Sequence, residues 1–214
     1  MRATANRRSL SRLVARAFAA GLVLAAAGCV EVLPGRGEPP KLFTLSPKST
    51  FKEGLPHADW QLVVEVPVAA ESLNTSRIAV RHDPLSLQYY KGARWTERAP
   101  VMVQTLLVES FENSGSIVAV ARKATDLRAD FILKSDLREF QAEYVDGATP
   151  TVRVRINAKL VRMPERTIIA SHTVERRVSA RGTSIRQIVY AFDAALGKSL
   201  RSVVEWALQV PNDL

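Results

Sequence analysis

The clearest pattern in the sequence is an alternation of apolar and polar residues between positions 151 and 162. In an extended strand, side chains two positions apart share a face, so this segment has one apolar and one polar face. The apolar set is Val152, Val154, Ile156, Ala158 and Leu160. The polar set is Arg153, Arg155, Asn157 and Lys159. The pattern predicts a strand with one face on a core and the other in water.

Two similar segments flank this strand. Residues 130–144 alternate imperfectly, which suggests a β-bulge, and residues 167–179 follow across a short turn. Consecutive strands with short connections form an antiparallel meander. Shorter apolar runs predict further strands at residues 42–45, 61–66, 77–81, 85–90 and 117–121.

Apolar residues at helical spacing predict two helices. The first is capped by Thr96, has Pro100 in its first turn and ends near Gly115. The second is longer and is capped by Thr183 or Ser184, and Ser184 with Gln187 matches a capping box.

A sheet with one apolar face and two helices with one apolar face each pack economically as an α+β two-layer domain. We therefore expect a mostly antiparallel sheet with both main helices on one face. This single domain is expected to occupy residues 41–214 of the 214-residue chain.

The first 28 residues have the features of a lipoprotein signal peptide. An arginine-rich start precedes an uncharged run of 11 residues at positions 17–27, which is too short for a membrane-spanning helix. Ala26-Ala27-Gly28-Cys29 resembles a lipobox, and Cys29 is the only cysteine. We expect cleavage between Gly28 and Cys29 and a covalent lipid on Cys29, rather than a cysteine inside a core or transmembrane helix.

Residues 29–40 are predicted to be the lipidated N-terminus and a flexible tether, because proline and glycine pairs interrupt any regular pattern there. Inner-membrane retention is commonly signalled by Asp after the lipidated cysteine, and this chain has Val30. The outer membrane is therefore the expected location. Asn6-Arg7-Arg8-Ser9-Leu10 leaves the twin-arginine route open beside the general secretory route.

The net charge of +9 would suggest nucleic-acid binding if it belonged to the folded domain. Residues 1–28, however, carry five arginines and no acidic residue, so 25 basic and 21 acidic residues remain in the other 186. The basicity is largely a property of the export signal, and we therefore expect no nucleic-acid partner.

Candidate chemistry is sparse. His82-Asp83 could be a base with its orienting carboxylate, but a polar turn before Pro84 is the simpler interpretation. His172 is expected at the edge of the core. We find no catalytic motif and no clustered metal ligands, and therefore expect neither an enzyme nor a metal site, and no cofactor besides the lipid.

Two sets of residues could form an interface. The first is the basic strand face with Arg153, Arg155 and Lys159, joined by Arg176 and Arg177, which is either an ordinary solvated face or a contact for anionic headgroups or an acidic partner. The second set is Tyr89, Tyr90 and Trp95. Trp95 is more simply explained by core packing, and an alternating tyrosine pair would leave one ring for an interface.

The segment from 77 to 115 carries a family resemblance. It contains Arg77-Ile78-Ala79-Val80-Arg81, a turn, Tyr90-Lys91-Gly92-Ala93-Arg94-Trp95 and a helix with Leu106-Leu107. Together with the lipobox, the meander and the closing helix, this order resembles the auxiliary lipoproteins of ABC-type transporters, the PqiC-like family.

The resemblance implies an outer-membrane lipoprotein that faces the periplasm and accompanies MCE-type proteins and an inner-membrane ABC transporter. Such systems are thought to transfer lipids or hydrophobic compounds, and some family members form rings, so a homo-oligomer is a further expectation. The leading hypothesis is a non-enzymatic anchor or docking subunit. A stand-alone periplasmic lipid-binding or small-molecule-binding lipoprotein is the alternative, and an envelope hydrolase is a third class.

Replacement of the predicted lipidation site tests the role of the anchor. Cys29→Ser removes the only thiol that can carry the lipid, so we expect a folded protein in the soluble fraction and loss of function in cells. Fractionation by ultracentrifugation, followed by complementation of a deletion strain, measures both effects. Full activity of the released variant would contradict the hypothesis.

Overall fold

A single open sheet of nine strands organises the part of the chain that the structure describes. This structure is a computed structural model, and it describes residues 38–122, 128–144 and 147–210. The strands are β1 (Lys41–Phe43), β2 (Ala58–Val64), β3 (Val68–Ala69), β4 (Arg77–Arg81), β5 (Gln88–Trp95), β6 (Ile117–Ala121), β7 (Phe131–Glu143), β8 (Thr151–Arg162) and β9 (Thr167–Ser179). The helices are α1 (Ala99–Ser114) and α2 (Ile185–Gln209). The predicted signal peptide, Gly28, Cys29 and most of the predicted tether lie outside the described residues.

Strand β7 is the centre of the sheet. Along one edge it pairs antiparallel with β8 over its whole length, and β8 pairs antiparallel with β9. Along its other edge it contacts three shorter parallel strands in succession, which are β2, β3 and β4. Strand β6 extends the sheet beyond β2, while β5 and then β1 extend it beyond β4.

The long antiparallel meander confirms the predicted α+β class with a mostly antiparallel sheet. The predicted bulge is also present, since the β7–β8 register shifts between Leu137 and Glu139. The parallel neighbours of β7 were not predicted. The connections that bring β2, β3 and β4 beside β7 carry no local sequence pattern, so this parallel pairing could not be predicted.

The ends of the helices follow from local chemistry. Ser184, one of the two predicted caps, forms a reciprocal capping box with Gln187 at the start of α2. The N-cap of α1 is Arg98, not Thr96, and Pro100 in the first turn sets the helical backbone there. Gly115 ends α1 with a φ of 62°, a left-handed conformation that glycine adopts at little cost.

Aromatic side chains fill the space between the sheet and the helices. Trp95, Phe140 and Phe192, from β5, β7 and α2, have ring centroids 5.1–5.7 Å apart. All three side chains are at most 1% exposed. The apolar face of β8 packs in the same core, with each member fully buried. Rings at these distances add about 0.5–1.5 kcal/mol per pair to the contribution of their buried area.

An extended segment between β1 and β2 lies across both helices. The backbone N–H of Ser46 donates to Asp193 of α2 at 2.7 Å, and that of Lys48 donates to Ser110 of α1 at 2.9 Å. The N–H of Lys52 donates to the buried Glu205 carboxylate of α2 at 2.9 Å. The helix side chains thus satisfy backbone groups that have no strand partner.

Within the described ranges, neither helix combines the length and the apolar character that a membrane-spanning helix needs.

Removal of one ring from the aromatic cluster tests its part in stability. Phe192→Ala leaves a cavity beside Trp95 and Phe140, so the free energy of unfolding should fall by about 3–5 kcal/mol. Tyr190→Ala on the same helix is the matched control, because Tyr190 is 64% exposed and its removal should change stability by less than about 0.5 kcal/mol. Urea unfolding followed by tryptophan fluorescence measures both. Equal effects of the two substitutions would contradict this packing.

Candidate interaction surface

The polar face of the meander is the first candidate surface, and strand register decides its chemistry. Arg153 and Arg155 of β8 lie beside Gln141 and Glu139 of β7, on the face opposite the helices. On the other side of β8, the same two residues lie beside Arg177 and Glu175 of β9. Glu139 and Glu175 thus lie directly beside Arg155, and both are diagonal neighbours of Arg153.

Arg153 is the centre of an ion-pair network. Its Nε and Nη2 donate to the two carboxylate oxygens of Glu175, at 3.0 and 3.2 Å. Its Nη1 lies 3.7 Å from an oxygen of Glu139 and 3.7 Å from an oxygen of Glu143. The bidentate hydrogen bond to Glu175 raises the pKa of the Arg153 guanidinium, and the charges of the other two carboxylates add to this shift.

The remaining basic candidates on this face are paired as well. Arg155 lies 3.8 Å from Glu175, and Lys159 lies 3.5 Å from Asp136. Arg177 donates to Glu175 at 3.1 Å. Arg176 is on the opposite face, because it pairs with Val154 of β8, and does not belong to this set. The surface is thus a network of alternating charge rather than a free basic patch for anionic headgroups.

A buried amide holds the acidic side of this network together. Gln141 is fully buried, and its Nε2 donates to Glu139 at 2.6 Å and to Glu143 at 2.8 Å. The hydrogen bonds from Arg153 lower the pKa of the Glu175 carboxyl, and Arg177 contributes to the same shift. The Glu175 carboxylate is therefore held in the charged form at neutral pH.

The aromatic candidates divide between core and surface. Trp95 is buried in the core, so its side chain is not available for an interface. Tyr89 and Tyr90 are both half-buried, which differs from the expected division into one buried and one free ring. The hydroxyl of Tyr89 donates to the Ser72 carbonyl at 3.0 Å, and the Arg77 guanidinium lies 3.7 Å from the centre of its ring. Burial raises the pKa of the Tyr90 hydroxyl.

The turn with His82 and Asp83 lies beside a cavity of about 300 Å³, which Arg81 and Tyr144 also line. The Asp83 carboxylate accepts hydrogen bonds from the Ser86 hydroxyl and from the backbone N–H groups of Leu85 and Ser86. These bonds lower its pKa, with the Ser86 hydroxyl contributing most. The His82 ring stacks on Tyr144 with centroids 4.8 Å apart. Asp83 thus fixes the turn, and the geometry favours the structural interpretation over a catalytic pair.

His172 joins the sheet to helix α2. Its Nε2 lies 3.1 Å from the Ser202 hydroxyl, and its ring stacks on Trp206 with centroids 5.4 Å apart. Burial lowers its pKa, and the charge of Arg176 lowers it further. His172 therefore lies at the edge of the core, as the alternation of β9 indicates. His57 is exposed just before β2. In the described ranges, no group of three histidine or carboxylate side chains is placed to hold a metal ion.

The acidic residues of the network on β7, Glu139 and Glu143, were not predicted. They alternate along the strand with Gln141 between them, and this pattern indicates a polar strand face. Their pairing with Arg153 requires the β7–β8 register, which the bulge after Leu137 shifts by one residue.

Comparison with known proteins identifies the class. A family model described as ABC-type transport auxiliary lipoprotein component matches residues 43–204. The chain belongs to this family, which is a family of transport accessory proteins and not a class of enzymes. The expected family membership is thereby confirmed.

Solved structures show the same fold. The chain is 32% identical to a Xanthomonas campestris protein of known crystal structure, with a TM-score of 0.77 over 81% of this chain and 97% of that one. A second structure, of an uncharacterized protein, is 12% identical and has a TM-score of 0.62, with coverage of 79% and 99%. That second likeness shows the fold alone.

An uncharacterized protein of Bradyrhizobium diazoefficiens is 28% identical over 150 residues, which are 69% of this chain. The chain spans 39% of the length of that relative.

Neutralisation of Glu175 tests the ion-pair network. Glu175→Gln should lower the free energy of unfolding by about 1 kcal/mol near neutral pH, because three arginines lose a shared carboxylate. The folded-state pKa of Glu175 lies below its ordinary value of 4.5, so its contribution is present above that value and lost as the pH falls through the folded-state pKa. Denaturation curves of both proteins should therefore converge on acidification.

Glu97→Gln provides the control for the charge change, since Glu97 is exposed and has no ion-pair partner within the residues described. It should have almost no effect at any pH. A gap between wild type and Glu175→Gln that does not shrink as the pH falls below 4.5 would contradict the proposed origin of the stabilisation.

Proposed function

We propose that this protein is an outer-membrane lipoprotein, anchored through a lipid on Cys29 and facing the periplasm, that serves a trans-envelope lipid transport system. Its role is that of an anchor or docking subunit for an MCE-type periplasmic protein and its inner-membrane ABC transporter. It performs no chemistry itself. The observation that carries this proposal is the match of the auxiliary lipoprotein family to residues 43–204.

The anchor and the tether give the proposed role its geometry. A diacylglyceryl group and an N-acyl chain on Cys29 would bind the membrane durably, because each buried methylene contributes about 0.8 kcal/mol. Eleven residues, 30–40, separate Cys29 from β1 and could extend to about 36–40 Å. A domain on such a tether can meet a partner at the membrane surface or some way below it.

The interior of the domain favours docking over lipid carriage. Trp95, Phe140 and Phe192 occupy the space between the sheet and the helices where a lipid chain would have to lie. The polar face of the meander is an ion-pair network, which suits contact with a protein that presents complementary charges better than contact with an anionic bilayer. These features support a protein that acts through its surfaces.

Recovery of the protein with its partners tests the proposal. The tagged protein is expressed in its own host, the two membranes are separated by density, and each fraction is extracted in mild detergent. We expect the protein in the outer-membrane fraction, and mass spectrometry should find MCE-type and ABC transporter subunits with it. Cys29→Ser is the control, because it should leave the membrane and lose these partners.

Two results would contradict the proposal. Recovery from the inner-membrane fraction would refute the location. Recovery without any transport subunit, after gentle crosslinking in whole cells, would refute the docking role and favour the stand-alone binding lipoprotein.

A further inference from the structure

Strand β9 has a long open edge. Among the strands of the described ranges it pairs only with β8, and its 13 residues contain neither proline nor glycine. Its outer backbone N–H and C=O groups therefore point away from the sheet over almost the full length of the strand. Proteins usually protect such an edge by shortening, covering or interrupting it. The register with β8 shifts once, between Leu160 and Val161, and the rest of the edge is long and regular enough to pair with a further strand.

Helix α2 runs beside this edge and forms a groove with it. The groove has a volume of about 550 Å³ and is lined by Val178 and Ser179 of β9 and by Tyr190, Ala191 and Ala194 of α2. Tyr190 is 64% exposed despite its size. Nearer the start of β9, the contacts of His172 with Ser202 and Trp206 hold the strand to the helix.

The charges around the groove are positive. Arg181 lines it, Arg176 lies on the helix-facing side of β9, and Lys198 follows Ala194 by one turn on α2. In the described part of the chain, none of these three side chains has a carboxylate within ion-pair distance. The nearby Asp193 carboxylate accepts the Ser46 N–H instead. The groove therefore combines an open strand edge, an apolar floor and three unneutralised cations.

We propose that this groove binds an extended acidic segment of a partner protein, which adds to the sheet as a strand beside β9. Main-chain hydrogen bonds to β9 would give the affinity. Only every second side chain of the segment would face the helix. Among these, apolar side chains would lie against Tyr190 and the two alanines, and acidic side chains would meet Arg176, Arg181 and Lys198. The biological meaning of this site rests on the docking role proposed above, but the binding itself can be measured with purified protein.

A second copy of this chain is a poorer occupant of the groove. Two β9 edges in symmetric contact would bring two sets of like charges together, which is unfavourable. Strand β6, at another edge of the sheet, has the sequence Ile-Val-Ala-Val-Ala and offers no acidic side chain. The charge of the groove thus favours a different, acidic partner.

Synthetic peptides provide the first test. The full lipidated protein, in micelles of an uncharged detergent, is titrated into a fluorescent peptide of about ten residues, long enough to follow β9. Every second residue of this peptide is glutamate or valine in turn, and the others are threonine, so that one face carries both acidic and apolar side chains. A peptide with lysine in place of glutamate is the control. We expect the acidic peptide to bind at least about tenfold more tightly, and its affinity to fall as salt is added. Equal binding of the two peptides, or no binding of either, would overturn the proposal.

Hydrogen exchange locates the binding site. The acidic peptide should slow amide exchange along β9 and leave β1 and β6 unchanged. Slowing elsewhere without slowing at β9 would overturn the proposal. Protection of β9 that is present without peptide and lost on dilution would show that a second copy occupies the edge, which would also overturn it.

Matched variants test the groove itself. Arg181→Glu should weaken binding of the acidic peptide about tenfold, because a favourable charge pair becomes a repulsive one. Lys91→Glu makes the same change of charge at an exposed position on β5 and should have no effect. Tyr190→Ala should also weaken binding, and its thermal unfolding shows separately that the variant is folded. Unchanged affinity in both Arg181→Glu and Tyr190→Ala would refute the assignment of the groove.

Discussion

The packing of Trp95, Phe140 and Phe192 against one another is the interaction on which the rest of this structure depends. The three rings come from β5, β7 and α2, which are far apart in the sequence, and their contact places the closing helix on the sheet. These rings occupy space between the sheet and the helices that a bound ligand would need. This packing supports the proposal that the protein acts through its surfaces and its edges.

The two faces of the meander are covered in different ways. The apolar face of β8 is fully buried under the helices. On the other face, Arg153 joins carboxylates of β7 and β9, so that charged side chains cover the sheet where no second layer does. Because almost every charge there has a partner, the unneutralised cations stand out at the opposite, helix-facing side of β9.

The sequence predicted the local features well. The bounds of β8 and β9, the bulge in β7, the capping box of α2 and the glycine that ends α1 all follow from alternation or from short motifs. Strand β5 begins at Gln88 rather than at residue 85, because Asp83 holds Leu85 and Ser86 in a turn. That contact is local, but its geometry does not show in a hydrophobic pattern.

The candidate surface was only partly predictable, because it depends on which strands are neighbours. Alternation correctly placed Arg153, Arg155 and Lys159 on one face, but their neutralisation by Glu139, Glu175 and Asp136 depends on register. The three parallel strands along β7 and the groove between β9 and α2 likewise arise from tertiary packing. The predicted location, lipid and transport partners come from family resemblance and from the N-terminal sequence, and they remain predictions.

We propose that this lipoprotein works as a docking domain whose interior holds no lipid. Native mass spectrometry of the lipidated protein, released from detergent after purification from its own membranes, is the decisive experiment. We expect the mass of the chain from Cys29 onward with its covalent lipids and nothing more per chain. One additional phospholipid per chain, retained when the detergent is stripped away, would contradict it.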